Sequence, residues 1–146
     1  MISFKEVTKE NLGRIATLSV FDHQKDQVAS NSYSIAQAHY EENAWFRGIY
    51  KDDQAVGFVM LDFDEKAKEY GVWRFMVDKN HQGKGYGRAS MELIKKVFKE
   101  KVPDVKEIYL SYVPKEKGGA DAFYKKVGFE DTGKMTGGEK IMCFKY

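Results

Sequence analysis

The stretch that decides the reading of this chain is Met76-Val77-Asp78-Lys79-Asn80-His81-Gln82-Gly83-Lys84-Gly85-Tyr86-Gly87-Arg88. Before it, Tyr70 to Val77 is largely apolar and predicts a buried strand ending at Asp78. After it, Arg88 to Lys101 sets Ser90, Met91, Leu93, Ile94, Val97 and Phe98 on one arc of a helix and Glu92, Lys95, Lys96 and Lys99 on the other. A strand running through a glycine-rich turn into a helix is an anion site in outline. Glycines allow positive φ and close approach of a ligand, and the first helical N–H groups lack internal partners. The helix dipole adds about half a positive charge there. A pyrophosphate suits such a turn, with Lys84 and Arg88 at its rim.

Two other phosphate motifs fail on particular residues. A P-loop needs Ser or Thr after Gly-Lys, and Gly83-Lys84 is followed by Gly85. A dinucleotide fingerprint needs a third glycine where Arg88 stands, after an early strand rather than a fourth one.

Outward from this segment the chain reads as one domain over 1–146, of α+β class, with order β-α-α-β-β-β-α-β-α-β-β. Ile2 to Val7 alternates as a strand, and Thr8 offers an N-cap for a helix carrying Leu12, Ile15, Leu18 and Phe21. A polar stretch, Asp22 to Ser32, precedes a short helix after Ser34. Trp45 to Tyr50 and Ala55 to Phe63 flank Lys51-Asp52-Asp53-Gln54 as a hairpin. Pro103 closes the long helix, Glu107 to Val113 is a strand, and Ala120 to Val127 is a short helix ending at Gly128. A last hairpin, Phe129 to Met135 and Glu139 to Tyr146, turns at Thr136-Gly137-Gly138.

Composition narrows the function classes. With 24 basic and 22 acidic residues among 146, the net charge of +2 offers no basic stripe for a nucleic acid. The longest apolar run, Phe58-Val59-Met60-Leu61, is far short of a membrane span, and Met1 to Lys5 lacks an apolar signal core, so a cytoplasmic protein is expected. The single cysteine, Cys143, excludes an internal disulfide and reads as a buried thiol.

Gln82-x-x-Gly85-x-Gly87, with Val77 at the end of the preceding strand, resembles the acetyl-CoA motif of the GNAT N-acetyltransferases. Ala120-x-x-x-Tyr124-x-x-x-Gly128-Phe129 is similar to a second element of that family. With the element order, the resemblance covers essentially the whole chain. Finer similarity, in Gln27 to Ala38, Val56-Gly57-Phe58 and Arg74-Phe75-Met76-Val77-Asp78, resembles the bacterial spermine/spermidine acetyltransferases within the group.

The resemblance implies a central mixed sheet flanked by helices and direct acetyl transfer from acetyl-CoA to an amine, with no metal. It implies that Phe75, Met76 and Val77 lend backbone groups to pantetheine, and that Gln82, Gly83, Lys84, Gly85, Tyr86, Gly87 and Arg88 hold the pyrophosphate. The thioester then points between the strands ending near Val77 and Val113, a backbone N–H near Val77 faces the developing oxyanion, and Tyr124 protonates the leaving thiolate. The partners implied are acetyl-CoA and a small amine, with neither nucleic acid nor membrane, and the resemblance leaves room for a homodimer. One departure stands out: the family commonly has asparagine where this chain has Lys117, and a lysine cannot copy an amide that both donates and accepts.

The amine must lose a proton before attack, and Glu41, Glu42, Asp62, Asp64, Glu69, Asp78 or His81 are candidates to assist through water. The sequence does not choose among them, and His81 reads as a surface residue. Cys143 has no histidine near it in sequence to support a covalent acetyl-enzyme. A polyamine acceptor is expected first; a peptide amine, or a catalytically silent acyl-CoA-binding module, are the alternatives.

Overall fold

The computed structural model describes residues 1–115 and 119–146. Seven strands form one sheet in the order β1-β2-β3-β4-β5-β7-β6. In chain order they are β1 (Ile2–Lys5), β2 (Ala44–Lys51), β3 (Gln54–Asp64), β4 (Glu69–Val77), β5 (Glu107–Tyr112), β6 (Glu130–Thr136) and β7 (Glu139–Lys145). The helices are α1 (Leu12–Thr17), α2 (Asn31–Ala38), α3 (Tyr86–Lys101) and α4 (Asp121–Lys126), with a single 3₁₀ turn at Asp22–Gln24. The expected order of strands and helices is the observed one, with that turn added inside the polar stretch.

The alternation of apolar side chains along β2, β3 and β4 feeds two cores, one on each face of the sheet. Leu61, Val72, Met91, Ile94, Phe98, Ile108 and Phe129 lie in the larger one, beneath α3 and α4. Ile15, Leu18, Phe58, Met60 and Met76 lie in the smaller one, beneath α1 and α2. Cys143 is a free, buried thiol, as expected.

Neighbouring strands are antiparallel except β4 and β5, which run parallel and pair only at Gly71 with Tyr109 and Val72 with Leu110. On the other side of β4, Met60 pairs with Arg74 while Leu61 pairs with Val72, so Trp73 is the extra residue of a β-bulge. The bulge bends β4 where its ladder with β5 stops. Beyond Val72 the β5-facing backbone groups of β4 have no strand beside them, and the sheet opens into a cleft.

Local structure departs from the sequence reading at four places. α1 begins at Leu12 after Asn11, not after Thr8; Asn11 Oδ1 instead accepts from the Thr8 N–H at 2.7 Å. α1 stops at Thr17, and Phe21 is 42% exposed beside the 3₁₀ turn, stacked on His23. The buried Asn31 amide ends the helix by donating to the Ile15 and Leu18 carbonyls at 2.9 and 3.4 Å. α2 starts at Asn31 because Ser30 caps it, accepting from the Tyr33 N–H at 3.1 Å, and Ser34 is buried inside the helix. Lys95 on α3 is not a solvated residue: its ammonium donates to the Val127 carbonyl and lies 4.3 Å from the Phe144 ring centroid.

Candidate functional site

The glycine turn has the geometry its spacing predicts. Gly83 and Gly85 hold φ of +78° and +83°, and Gly85 is the N-cap of α3. Ala89 donates back to the Gly85 carbonyl at 3.2 Å, so the N–H groups of Tyr86, Gly87 and Arg88 are the ones a helix start leaves without internal partners. A Cβ added at Gly83 or Gly85 would find no atom within 4 Å. That open cradle, with donors and a helix dipole at its base, fits the diphosphate of acetyl-CoA. Gly87 differs from the expectation: it is helical and without positive φ, and an added Cβ would touch the Phe123 ring at 3.4 Å.

Side chains fix the turn from behind. Gln82 Nε2 donates to the Val77 carbonyl at 3.0 Å and to Gln24 Oε1 at 2.9 Å, and Gln24 Nε2 returns a bond to Gln82 Oε1 at 3.3 Å. Gln82 therefore ties the turn to the end of β4 and to the 3₁₀ turn. Both Asp78 oxygens are engaged, by the Ser19 N–H at 2.8 Å and the Asn80 N–H at 3.1 Å. Asp78 is a buried anchor rather than a free base. His81 is only 9% exposed and lines the cavity at the turn, which corrects the surface reading. Lys84 and Arg88 are exposed and make no ion pair among the described residues. Lys117 lies outside the described residues.

Tyr124 is set by the end of α4. Gly128, at φ +101°, lets its own N–H reach the Lys125 carbonyl at 3.1 Å and the Phe129 N–H reach the Tyr124 carbonyl at 2.9 Å. This paired bonding is a Schellman motif, and it explains the glycine four residues after Tyr124. The Tyr124 ring packs among Phe123, Phe129 and Tyr112, with centroids 5.4, 6.1 and 6.4 Å away. Burial pushes its phenol up to about 12, so it holds its proton throughout the neutral range.

Two cavities meet at this tyrosine. One, of about 500 Å³, runs from the glycine turn past Phe75, Met76, Val77 and Phe123. The other, of about 750 Å³, opens on the α2 side of the sheet among Asp26, Asp62, Trp73, Arg74, Ser111 and Glu139. Both are bordered by Gln27, Val28, Phe75, Ser111, Val113 and Tyr124. The sequence reading gave no role to the segment carrying Gln24, Asp26, Gln27 and Val28, although Gln27 and Val28 begin one of the stretches of finer similarity. Lys115 fastens that segment across the cleft, donating to the His23 carbonyl at 3.0 Å and to Asp26 at 2.9 Å. The bond from Lys115 holds the Asp26 carboxyl below its usual range.

Of the candidate bases, Asp62 is the carboxylate inside the second cavity, opposite Gly71. Burial, then Asp64, Glu69 and Glu41, raise its pKa. Glu41 and Glu42 are exposed. No helix among the described residues is long and apolar enough to cross a membrane.

Comparison with known proteins converges on one family. Residues 10–129 match the model of the acetyltransferase (GNAT) family. The chain is 32% identical to a probable spermine N(1)-acetyltransferase of Bacillus subtilis subsp. natto, over 97% of this chain and 96% of that one. It is 31% identical, with the same coverage, to a spermine/spermidine N(1)-acetyltransferase of Bacillus subtilis strain 168. In fold it is similar to the PaiA N-acetyltransferase of Thermoplasma acidophilum, solved with coenzyme A (TM-score 0.72, 20% identity, covering 100% of this chain and 99% of that one). It is likewise similar to the GNAT domain of S. lividans PAT (TM-score 0.77, 15% identity, covering 99% and 89%). The family match and full-length relatives, on a sheet that opens between β4 and β5 at a glycine-capped helix, place the chain in the GNAT family, as an acetyl-CoA-dependent N-acetyltransferase.

Proposed function

We propose that residues 1–146 act as one acetyltransferase domain whose acceptor is a primary amine of a polyamine such as spermine or spermidine. The observation that carries the transfer route is the meeting of the two cavities at Phe75 and Tyr124. The polyamine reading draws on the two Bacillus relatives and on Asp62 and Glu139 in the acceptor cavity.

Acetyl-CoA, when bound, supplies the acetyl thioester. Phe75, Met76 and Val77 present the free backbone edge of β4 to its pantetheine arm, and an N–H there faces the developing oxyanion. The amides from Gly83 to Arg88 take the diphosphate, with Lys84 and Arg88 adding charge at the rim and Gln82 bracing the turn from behind. The acceptor nitrogen, arriving unprotonated from the α2 side, forms the N–C bond as the C–S bond breaks. The Tyr124 hydroxyl gives its proton to the sulfur and regains one, through solvent, from the nitrogen. A phenol near 12 facing a thiol near 8.5 makes that transfer uphill at rest, so a hydrogen bond that strengthens as charge builds on sulfur is the larger part of its role.

A screen of CoA release across polyamines, amino acids and peptide N-termini tests the reading. Spermine and spermidine should give the highest kcat/KM, and their affinity should fall with added salt as exposed ionic attraction is screened. Turnover of peptides without polyamines overturns the acceptor while leaving the transferase in place.

A further inference from the structure

Transfer needs an uncharged nitrogen, yet an alkylamine with a pKa near that of lysine, about 10.4, is almost wholly protonated at neutral pH. Three of the carboxylates near the cleft are poorly placed to remove that proton. Asp78 has both oxygens engaged, and Asp26 is bound by Lys115. Asp62 sits opposite Gly71, three residues along β3 from Val59, the partner of Phe75, or roughly 10 Å at about 3.3 Å per residue. The residue before Phe75, which lines the same acceptor cavity, carries a cation.

Arg74 is half-buried on the α2 face and lines the acceptor cavity. Its Nη1 donates to the Trp73 carbonyl at 3.1 Å and its Nη2 to Gln37 Oε1 at 3.2 Å. Its Nε is buried without a partner, and no carboxylate lies within ion-pair distance of it among the described residues. We propose that Arg74 is the positioning residue that keeps the acceptor nitrogen at the acyl end of the cavity unprotonated, so that a multiply charged amine reacts through that nitrogen while its other ammonium groups rest near Asp62 and Glu139.

The physics is like-charge exclusion. A guanidinium stays protonated where an amine need not, and in a partly desolvated cavity it disfavours a second positive charge beside it. An amine next to a fixed cation is an activated nucleophile for that reason. Every element packed around Arg74 enters the balance. From α2 come Tyr33 and the neutral Gln37 amide, and from β5 the Tyr109 phenol, which stays protonated with a pKa pushed up to about 12 by its bond to Glu107 and by burial. From β7 comes Glu139, the carboxylate whose field reaches Arg74, and it takes a hydrogen bond from Ser111 Oγ at 3.3 Å. From the segment before α2 come Lys25, paired with Asp22 at 3.0 Å, and Asp26, paired with Lys115. Asp62 on β3 lies toward the distal end of the cavity. Arg74 toward the acyl end and Asp62 toward the distal end form a gradient along which a polycation orients.

The test is the pH profile of kcat, at saturating amine, for wild type, Arg74→Gln and Arg74→Lys, taken on whichever amine the acceptor screen ranks first. The proposal rests on an amine acceptor and not on a polyamine, so a failure of spermidine in that screen strikes the acceptor reading alone. In Arg74→Gln the ascending limb should move up by about one unit, a loss of about tenfold at pH 7.5 that closes as pH approaches 10. Arg74→Lys keeps a cation and should keep the wild-type limb. An equal loss at every pH, or an unmoved limb in Arg74→Gln, overturns the proposal.

Discussion

The two cavities that meet at Tyr124 are built by opposite means. The cofactor side draws much of its wall from one continuous run, Phe75 to Arg88, and offers main-chain groups there, the edge of β4 and the amides at the start of α3, with the His81, Gln82 and Arg88 side chains beside them. The acceptor side is assembled from the segment before α2, from β3, β4 and β5, and from the final hairpin, and its polar surface is side chain: Asp26, Asp62, Arg74 and Glu139. Backbone recognition needs glycines and a helix start at fixed spacing, and it suits a ligand whose diphosphate and amide arm do not vary. Side-chain recognition can be changed one residue at a time without disturbing the sheet. Away from the six residues that border both cavities, donor and acceptor recognition rest on different groups.

Gly85→Val attacks the main-chain side and should have the largest effect. A β-branched residue at φ +83° is strained, and its side chain fills the space left for phosphate. Loss of two charge-assisted hydrogen bonds at about 1.5–3 kcal/mol each weakens acetyl-CoA binding by about 10²-fold or more. Calorimetry on the folded variant reads this directly, and unchanged affinity would move the cofactor away from the turn. Tyr124→Phe attacks the junction and should lower kcat by about 10²-fold with acetyl-CoA affinity retained. The sign of the pH dependence follows from burial: a phenol raised to about 12 stays protonated below that, so the wild-type rate should show no descending limb from Tyr124 up to about pH 11. A limb that falls near pH 10 and vanishes in Tyr124→Phe would show an unperturbed phenol at work.

The same division explains how far the sequence could be read. The strand, glycine turn and long helix are local, so periodicity and spacing locate them; Gly128 and Tyr124 are likewise a local pair, joined by one helix ending. The starts of α1 and α2 differ from the reading at Thr8 and Ser34: Asn11 precedes α1 without a side-chain cap bond, and Ser30 caps α2 while the next residue, Asn31, bonds back to the end of α1. The clasp between Gln82 and Gln24 joins residues 58 apart, and Lys115 meets Asp26 across 89. No periodicity carries such pairings, and Arg74 reads as an ordinary strand residue until the bulge at Trp73 is seen.

Asp62→Asn probes the side-chain cavity alone and should have the smallest effect, in two directions at once. Burial and the neighbouring Asp64, Glu69 and Glu41 raise the Asp62 pKa above its ordinary 3.8, so the folded chain holds this proton more tightly than the unfolded chain does. By linkage the ionised carboxylate costs stability once pH has risen through the unfolded and then the folded pKa, and costs nothing below both. The amide removes that cost, so Tm should rise at pH 7 and stay unchanged at pH 3. Function should move the other way. A partly exposed ion pair with a distal ammonium contributes about 0.2–1 kcal/mol, so KM for spermidine should increase by up to about fivefold, with kcat and acetyl-CoA affinity held. A monoamine has no second ammonium to lose and should keep its KM. Wild-type Tm at pH 7 together with an increased KM for both amines would mean that Asp62 shapes the cavity wall rather than carrying a charge the substrate meets.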